Sequence, residues 1–116
     1  MDTARTQERL RDFAAARDWE QFHSPKNLVM ALGAEVGELA DLFQWKTEEQ
    51  SRQLVADSAD MARVREEVAD VMIYLLRLAD ALKIDLQHAV DAKVALNEEK
   101  YPVQLSHGKV TKYNRR

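Results

Sequence analysis

The stretch VREEVADVMIYLLRLADAL, residues 64 to 82, constrains the fold more than any other part of this chain. Val64, Val68, Val71, Met72, Ile73, Leu75, Leu76, Leu78 and Ala79 cover nearly the whole circumference of a helix. A helix apolar almost all round belongs in the centre of an assembly, with neighbours on several sides. Its longest apolar region, Val68 to Leu82, also holds Asp70, Arg77 and Asp80. It is therefore too short and too charged to span a bilayer.

The rest of the sequence also reads as helix. Strand-like alternation is absent, and only three Gly and two Pro interrupt 116 residues. Leu10, Phe13 and Ala14 predict a first helix over residues 3 to 17. Ser24 followed by Pro25 predicts a helix start, with Ser as N-cap and Pro at the first helical position. That second helix is expected to run to about Trp45, with Leu28, Leu32, Leu39, Leu42 and Phe43 on its apolar side. Thr47 and Gln50 have capping-box spacing, which predicts a short helix. The long helix covers residues 60 to 82, and Asp85 caps the last one, Leu86 to Lys100. Pro102 ends it, and residues 103 to 116 are expected to form an extended tail. The expectation is an all-α antiparallel bundle of four or five helices, one domain over residues 1 to 116. So few residues cannot surround the central helix, so a homo-oligomer is expected.

Composition narrows the function classes. A 46% hydrophobic, 32% charged chain fits a folded globular protein. The net charge of −3 offers no global basic field for nucleic acid. The only basic cluster, the tail GKVTKYNRR, reads as a solvated end. The N-terminus MDTARTQERL lacks the apolar core of a signal peptide. Without cysteine there is no disulfide framework and no thiolate metal site. A cytoplasmic protein that binds neither nucleic acid nor membrane is expected.

Carboxylates interrupt the apolar runs of both long helices. The second carries Glu35 and Glu38, followed by Asp41; the central one carries Glu67 and Asp70. In each pair the residues are three apart, which puts them on one face about a turn apart. If the two helices pack side by side, four carboxylates converge. Such a group cannot stay ionised in a partly apolar cleft without a counter-charge. A divalent cation supplies one, and oxygen-only ligands select Mg²⁺, with Mn²⁺ as an alternative. A di-iron bundle would need Glu-x-x-His motifs, and neither pair has a His three residues on. Mg²⁺ held by a few carboxylates commonly binds substrate phosphates, so phosphate chemistry is the natural expectation.

The segments EVGELADLFQW and EEVADVMIYLLRLAD resemble the all-α nucleotide pyrophosphohydrolases of the MazG-like group. Within that group the chain is most similar to the dCTP pyrophosphatases, through RDWEQFHSPKNLVMALGAEVGELADLFQWK and KYP. The resemblance implies that a nucleoside triphosphate and water give the monophosphate and pyrophosphate, in the house-cleaning of nucleotide pools. It implies Mg²⁺ on Glu35, Glu38, Glu67 and Asp70, and a homodimer or homotetramer. Water would attack the α-phosphorus, with Glu38 as the proposed base and Glu35 beside it. Glu66 lies about 100° round the helix from Glu67 and reads as solvent-facing.

By the same resemblance Trp19, His23 and Trp45 would line the base or sugar pocket. Tyr74 lies four residues after Asp70, on the same face, where its ring could exclude a ribose 2′-hydroxyl. Lys93 and Asn97 are expected near the triphosphate; core packing for the aromatics and a solvated helix face for Lys93 are the plain alternatives. The segment from Lys46 to Arg63 matches no transferable motif and reads as a lid or a spacer. The tail is similar to those of bacterial MazG-like proteins; closure over a neighbouring subunit's phosphates and a free end both stay open. Other readings of the chain are a dUTP-preferring or broad-range triphosphatase on the same scaffold, and a non-catalytic helical module that binds a metal or a basic partner.

Overall fold

Side-chain caps set where the helices begin. In the computed structural model, which describes residues 1–108, Asp2 accepts from the Arg5 amide and opens α1 (Thr3–Ala16). Ser24 accepts from the Asn27 amide and opens α2 (Pro25–Phe43), with Pro25 in the first turn. Thr47 and Gln50 form the reciprocal capping box of α3 (Glu48–Arg52). Ser58 caps α4 (Ala59–Ala81) and Asp85 caps α5 (Leu86–Lys100). Each cap satisfies an amide that the helix itself leaves unpaired. Every regular element among the described residues is helical, as the apolar spacing requires. None of these helices is long and apolar enough to cross a membrane.

The chain falls into two compact units, Met1–Lys83 and the segment from Ile84 onward. In the first, α2 packs along α4 and α1 also meets α4. The buried and half-buried positions of α2 are Leu28, Ala31, Leu32, Glu35, Leu39, Leu42 and Phe43. On α4 the stripe runs through Met61, Val64, Glu67, Val71, Tyr74 and Leu78. Both stripes recur at three- and four-residue intervals, the geometry of two helices sharing a seam. Leu28 and Leu76 are 1% exposed, and Ala14 and Ala79 complete the fully buried apolar set. Gln7 Nε2 donates to the Leu76 carbonyl, and Arg11 grips both oxygens of Asp80 at 2.8 and 2.9 Å, tying α1 to α4.

The end of α1 places an aromatic side chain. Asp18 adopts φ 54°, the left-handed conformation. The Asp18 amide donates to Ala15 and the Trp19 amide to Ala14, the paired bonds of a Schellman stop. Trp19 thereby swings back against Phe13, ring centroids 5.7 Å apart and edge to face. A 3-10 turn, Glu20–Phe22, then leads into α2.

In the second unit α5 exposes most of its side chains, with Leu86 and Lys100 half-buried. Two expectations are corrected. The second helix stops at Phe43 and not at Trp45, because the Lys46 amide turns back onto the Phe43 carbonyl. The tail does not begin extended: Pro102 starts a one-turn helix, α6 (Val103–Ser106), which the His107 amide closes onto Val103. The basic end of the tail lies outside the described residues.

Candidate metal centre and active site

The seam of α2 and α4 brings three carboxylates together. One oxygen from each of Glu35, Glu38 and Glu67 lies within 4.8 Å of the other two. Glu35 and Glu67 occupy inward positions between apolar neighbours, so they are half-buried, while Glu38 is exposed. Asp70, the fourth expected member, falls outside this group; it sits a turn further along α4 on a shorter side chain. Its negative charge still acts on Glu35. Glu66 is exposed, as the helical rotation predicts.

The cluster is electrostatically unbalanced. With both carboxylates ionised, Glu35 Oε2 and Glu67 Oε2 are buried and have no hydrogen-bond donor. Burial, followed by the Glu67 and Glu38 carboxyls and the Asp70 charge, pushes the Glu35 carboxyl from 4.5 up to about 7. Buried acceptor oxygens without donors are rare in folded proteins. Three hard oxygen donors at this separation, two of them orphaned, suit a divalent cation such as this class of ligand commonly binds.

A cavity of about 470 Å³ opens on the cluster, lined by Glu38, Asp41, Leu42, Asp60, Arg63 and Glu67. Arg63 has no ion pair among the described residues, although it stands among four acids. The sequence reading did not single it out; its place four residues before Glu67, on the same face, was the available signal. Asp60, also unremarked, takes a 3.2 Å ion pair from Lys46. An adjoining cavity, also about 470 Å³, shares Asp41, Leu42 and Asp60 with the first and reaches Trp45. The segment from Lys46 to Arg63 supplies much of its wall through Gln50, Gln53, Leu54, Val55 and Ser58. Trp45 is 88% exposed, so it is not a core residue; it stands beside the acidic cavity.

Trp19 and His23 line neither of these cavities. They face one another, with ring centroids 6.5 Å apart. His23 Nδ1 lies 3.3 Å from Nη2 of Arg77, a side chain buried in α4. Burial, then the Arg77 charge, lowers the His23 pKa, and Glu20 opposes them. Arg77 is the third residue, after Arg63 and Asp60, to which the sequence reading gave no role. Its signal was a lone cation inside the most apolar run of the chain. Tyr74 is half-buried on α4, a turn beyond Asp70. Lys93 and Asn97 are exposed, a turn apart on α5 in the other unit.

The profile of the MazG-like family matches residues 30–115. dCTP pyrophosphatase 1 of Bos taurus is 49% identical over 102 residues, 88% of this chain and 60% of that protein. The Homo sapiens protein of the same name is 47% identical over the same shares. The chain thus spans 60% of the length of these curated relatives. A crystal structure of a pyrophosphatase from Archaeoglobus fulgidus is 38% identical, covers 88% of this chain and 94% of its own, and superposes with a TM-score of 0.79. Helices, acidic pairs and relatives agree: the chain belongs to the MazG-like family.

Proposed function

We propose that this chain hydrolyses a nucleoside triphosphate to the monophosphate and pyrophosphate, with dCTP or a modified dCTP as preferred substrate. The observation that carries the reading is the Glu35–Glu38–Glu67 group with its two orphaned buried oxygens. The dCTP pyrophosphatase relatives supply the choice of base.

Glu35, Glu38 and Glu67 would hold Mg²⁺, or Mn²⁺ in its place, with Asp70 adding charge from the next turn. Bound there, the cation would supply counter-charge for phosphate oxygens and would lower the pKa of water. Glu38, the exposed carboxylate of the group, accepts the proton of the attacking water. The water oxygen bonds to the α-phosphorus, the bond from that phosphorus to the bridging oxygen breaks, and pyrophosphate leaves. Arg63 offers two parallel donors to phosphate oxygens, the geometry in which guanidinium pairs best. Lys93 and Asn97 contribute further donors. Trp45 gives the base a face to stack on, and Trp19, His23 and Tyr74 contact the nucleoside. The active form is a homodimer or homotetramer, a reading supported by the apolar side chains that one copy leaves exposed on α4.

Pyrophosphate release with Mg²⁺ across the common ribo- and deoxynucleoside triphosphates and 5-methyl-dCTP tests the proposal. Release is expected to favour dCTP or 5-methyl-dCTP, and Glu38→Gln to lower it by about 100-fold or more. Release from dUTP, or from all substrates alike, would keep the chemistry and reject the cytosine assignment. Folded protein that releases nothing would overturn the reading.

A further inference from the structure

Arg77 is an unusual residue to bury. It lies about one turn from the C-terminal end of the apolar α4 and is 9% exposed. Burying a guanidinium is costly, and an apolar side chain of similar volume is often as stable or more so. Its compensation is partial. Nη1 is 3.7 Å from Asp80, but the short bidentate grip on Asp80 belongs to Arg11. Nε is buried with no partner. The other contact of the guanidinium is Nη2 to His23 Nδ1, 3.3 Å, between two nominal cations.

That contact has one chemical solution. Guanidinium nitrogens only donate, so Nδ1 must present its lone pair. The single proton of the imidazole then sits on Nε2. A second proton, on Nδ1, would set N–H against N–H and cation against cation. The charged groups acting on the ring are Arg77 from α4, which opposes protonation, and Glu20 in its own turn, which favours it. The Arg11–Asp80 pair lies behind Arg77 and anchors it to α1. The ring itself is located by the edge of Trp19, which the Schellman stop and Phe13 fix in turn. Asn27 Nδ2 donates to the Phe22 carbonyl and secures the turn that carries His23. His23 Nε2 has no hydrogen-bond partner among the described residues.

We propose that Arg77 is a positioning residue that fixes His23 as a neutral imidazole with one free donor, Nε2–H, for an acceptor atom on the nucleobase. This rests on the reading above that His23 contacts the nucleoside. A charged His23 would draw the triphosphate towards the base end of the site. A neutral one with a set tautomer discriminates by hydrogen bonding alone. The chemistry it recognises is a carbonyl oxygen or an unprotonated ring nitrogen, both of which cytosine carries.

The test pairs ¹⁵N NMR of the His23 ring with kinetics on the full chain, in wild type, Arg77→Met, Arg77→Lys and His23→Ala. Met fills the same volume without charge, and Lys restores a donor and a charge. In wild type the neutral ring is expected to hold the Nε2–H tautomer and to titrate below an ordinary histidine. In Arg77→Met both tautomers appear and the titration moves up. KM for dCTP rises roughly fivefold, the equivalent of about one hydrogen bond, with a smaller change in kcat. Arg77→Lys recovers part of the tautomer preference and of KM. A wild-type ring protonated on Nδ1, or a tautomer and titration unmoved in Arg77→Met, would overturn the proposal whatever the kinetics. A tautomer that shifts while KM stays fixed would overturn the recognition step, provided His23→Ala raises KM. If His23→Ala leaves KM unchanged, the underlying assignment of His23 fails, and the NMR result still judges the Arg77–His23 coupling.

Discussion

Glu35 shows at a single residue how the α2–α4 seam works. It stands where an apolar residue would be expected, one turn from Leu32 and Leu39. Without a cation it keeps its proton up to about pH 7, against 4.5 for an ordinary glutamate. The folded state therefore binds that proton more tightly than the unfolded chain does. The associated stability is complete below about pH 4.5 and is lost as the pH rises through 7. A bound divalent cation replaces the proton as counter-charge and stabilises the fold by mass action. Thermal melts in chelator should thus fall between pH 5 and pH 8, by roughly 4 °C or more. Mg²⁺ should raise the melt at pH 8 more than at pH 5. Glu35→Gln, neutral at every pH, should flatten the chelator series and shrink the Mg²⁺ effect. A wild-type melt that rises with pH in chelator would contradict this account.

At the level of the helix, local chemistry and packing play separate roles. Ser24, Thr47, Ser58 and Asp85 start their helices with bonds written into short sequence patterns, and all but Ser58 were legible as caps before the structure. α4 starts at Ala59, one residue before the expected Asp60, because Ser58 caps it. The end of α1 was less legible: an Asp in the left-handed conformation does what Gly usually does, so no glycine marked the stop. What holds α2 and α4 together is burial along one stripe, and Leu28 on α2 and Leu76 on α4 are the largest fully buried side chains of the unit. Leu28→Ala and Leu76→Ala should each cost about 2–5 kcal/mol, read as a lowered denaturation midpoint with little change in slope. Val90→Ala on α5, where the side chain is 54% exposed, should cost well under that. Comparable losses at all three sites would mean that α5 is covered by something one copy does not show.

For the whole molecule the apolar surface is out of proportion to the core. Among the described residues only Ala14, Leu28, Leu76 and Ala79 are buried apolar residues. Val68, Met72 and Leu75 share one face of α4 and remain 50%, 40% and 37% exposed. Exposed apolar faces of this kind mark association sites. Sedimentation at micromolar concentration should therefore report a dimer or tetramer, and Val68→Glu with Met72→Glu should shift it towards monomer. A wild-type chain that sediments as a monomer would reject the oligomer. By itself the sequence determined the helical class, most caps, the central place of α4 and the two acidic pairs, because each is written in spacing within one element. Only the tertiary structure decided which carboxylates meet. Glu35, Glu38 and Glu67 each bring an oxygen within 4.8 Å of the other two, since side-chain reach across a seam depends on the register of two helices. It also decided that Arg63 faces the acids and that Arg77 meets His23, 54 residues away in the chain. Contacts between distant segments follow from packing, and no periodicity within a helix encodes them.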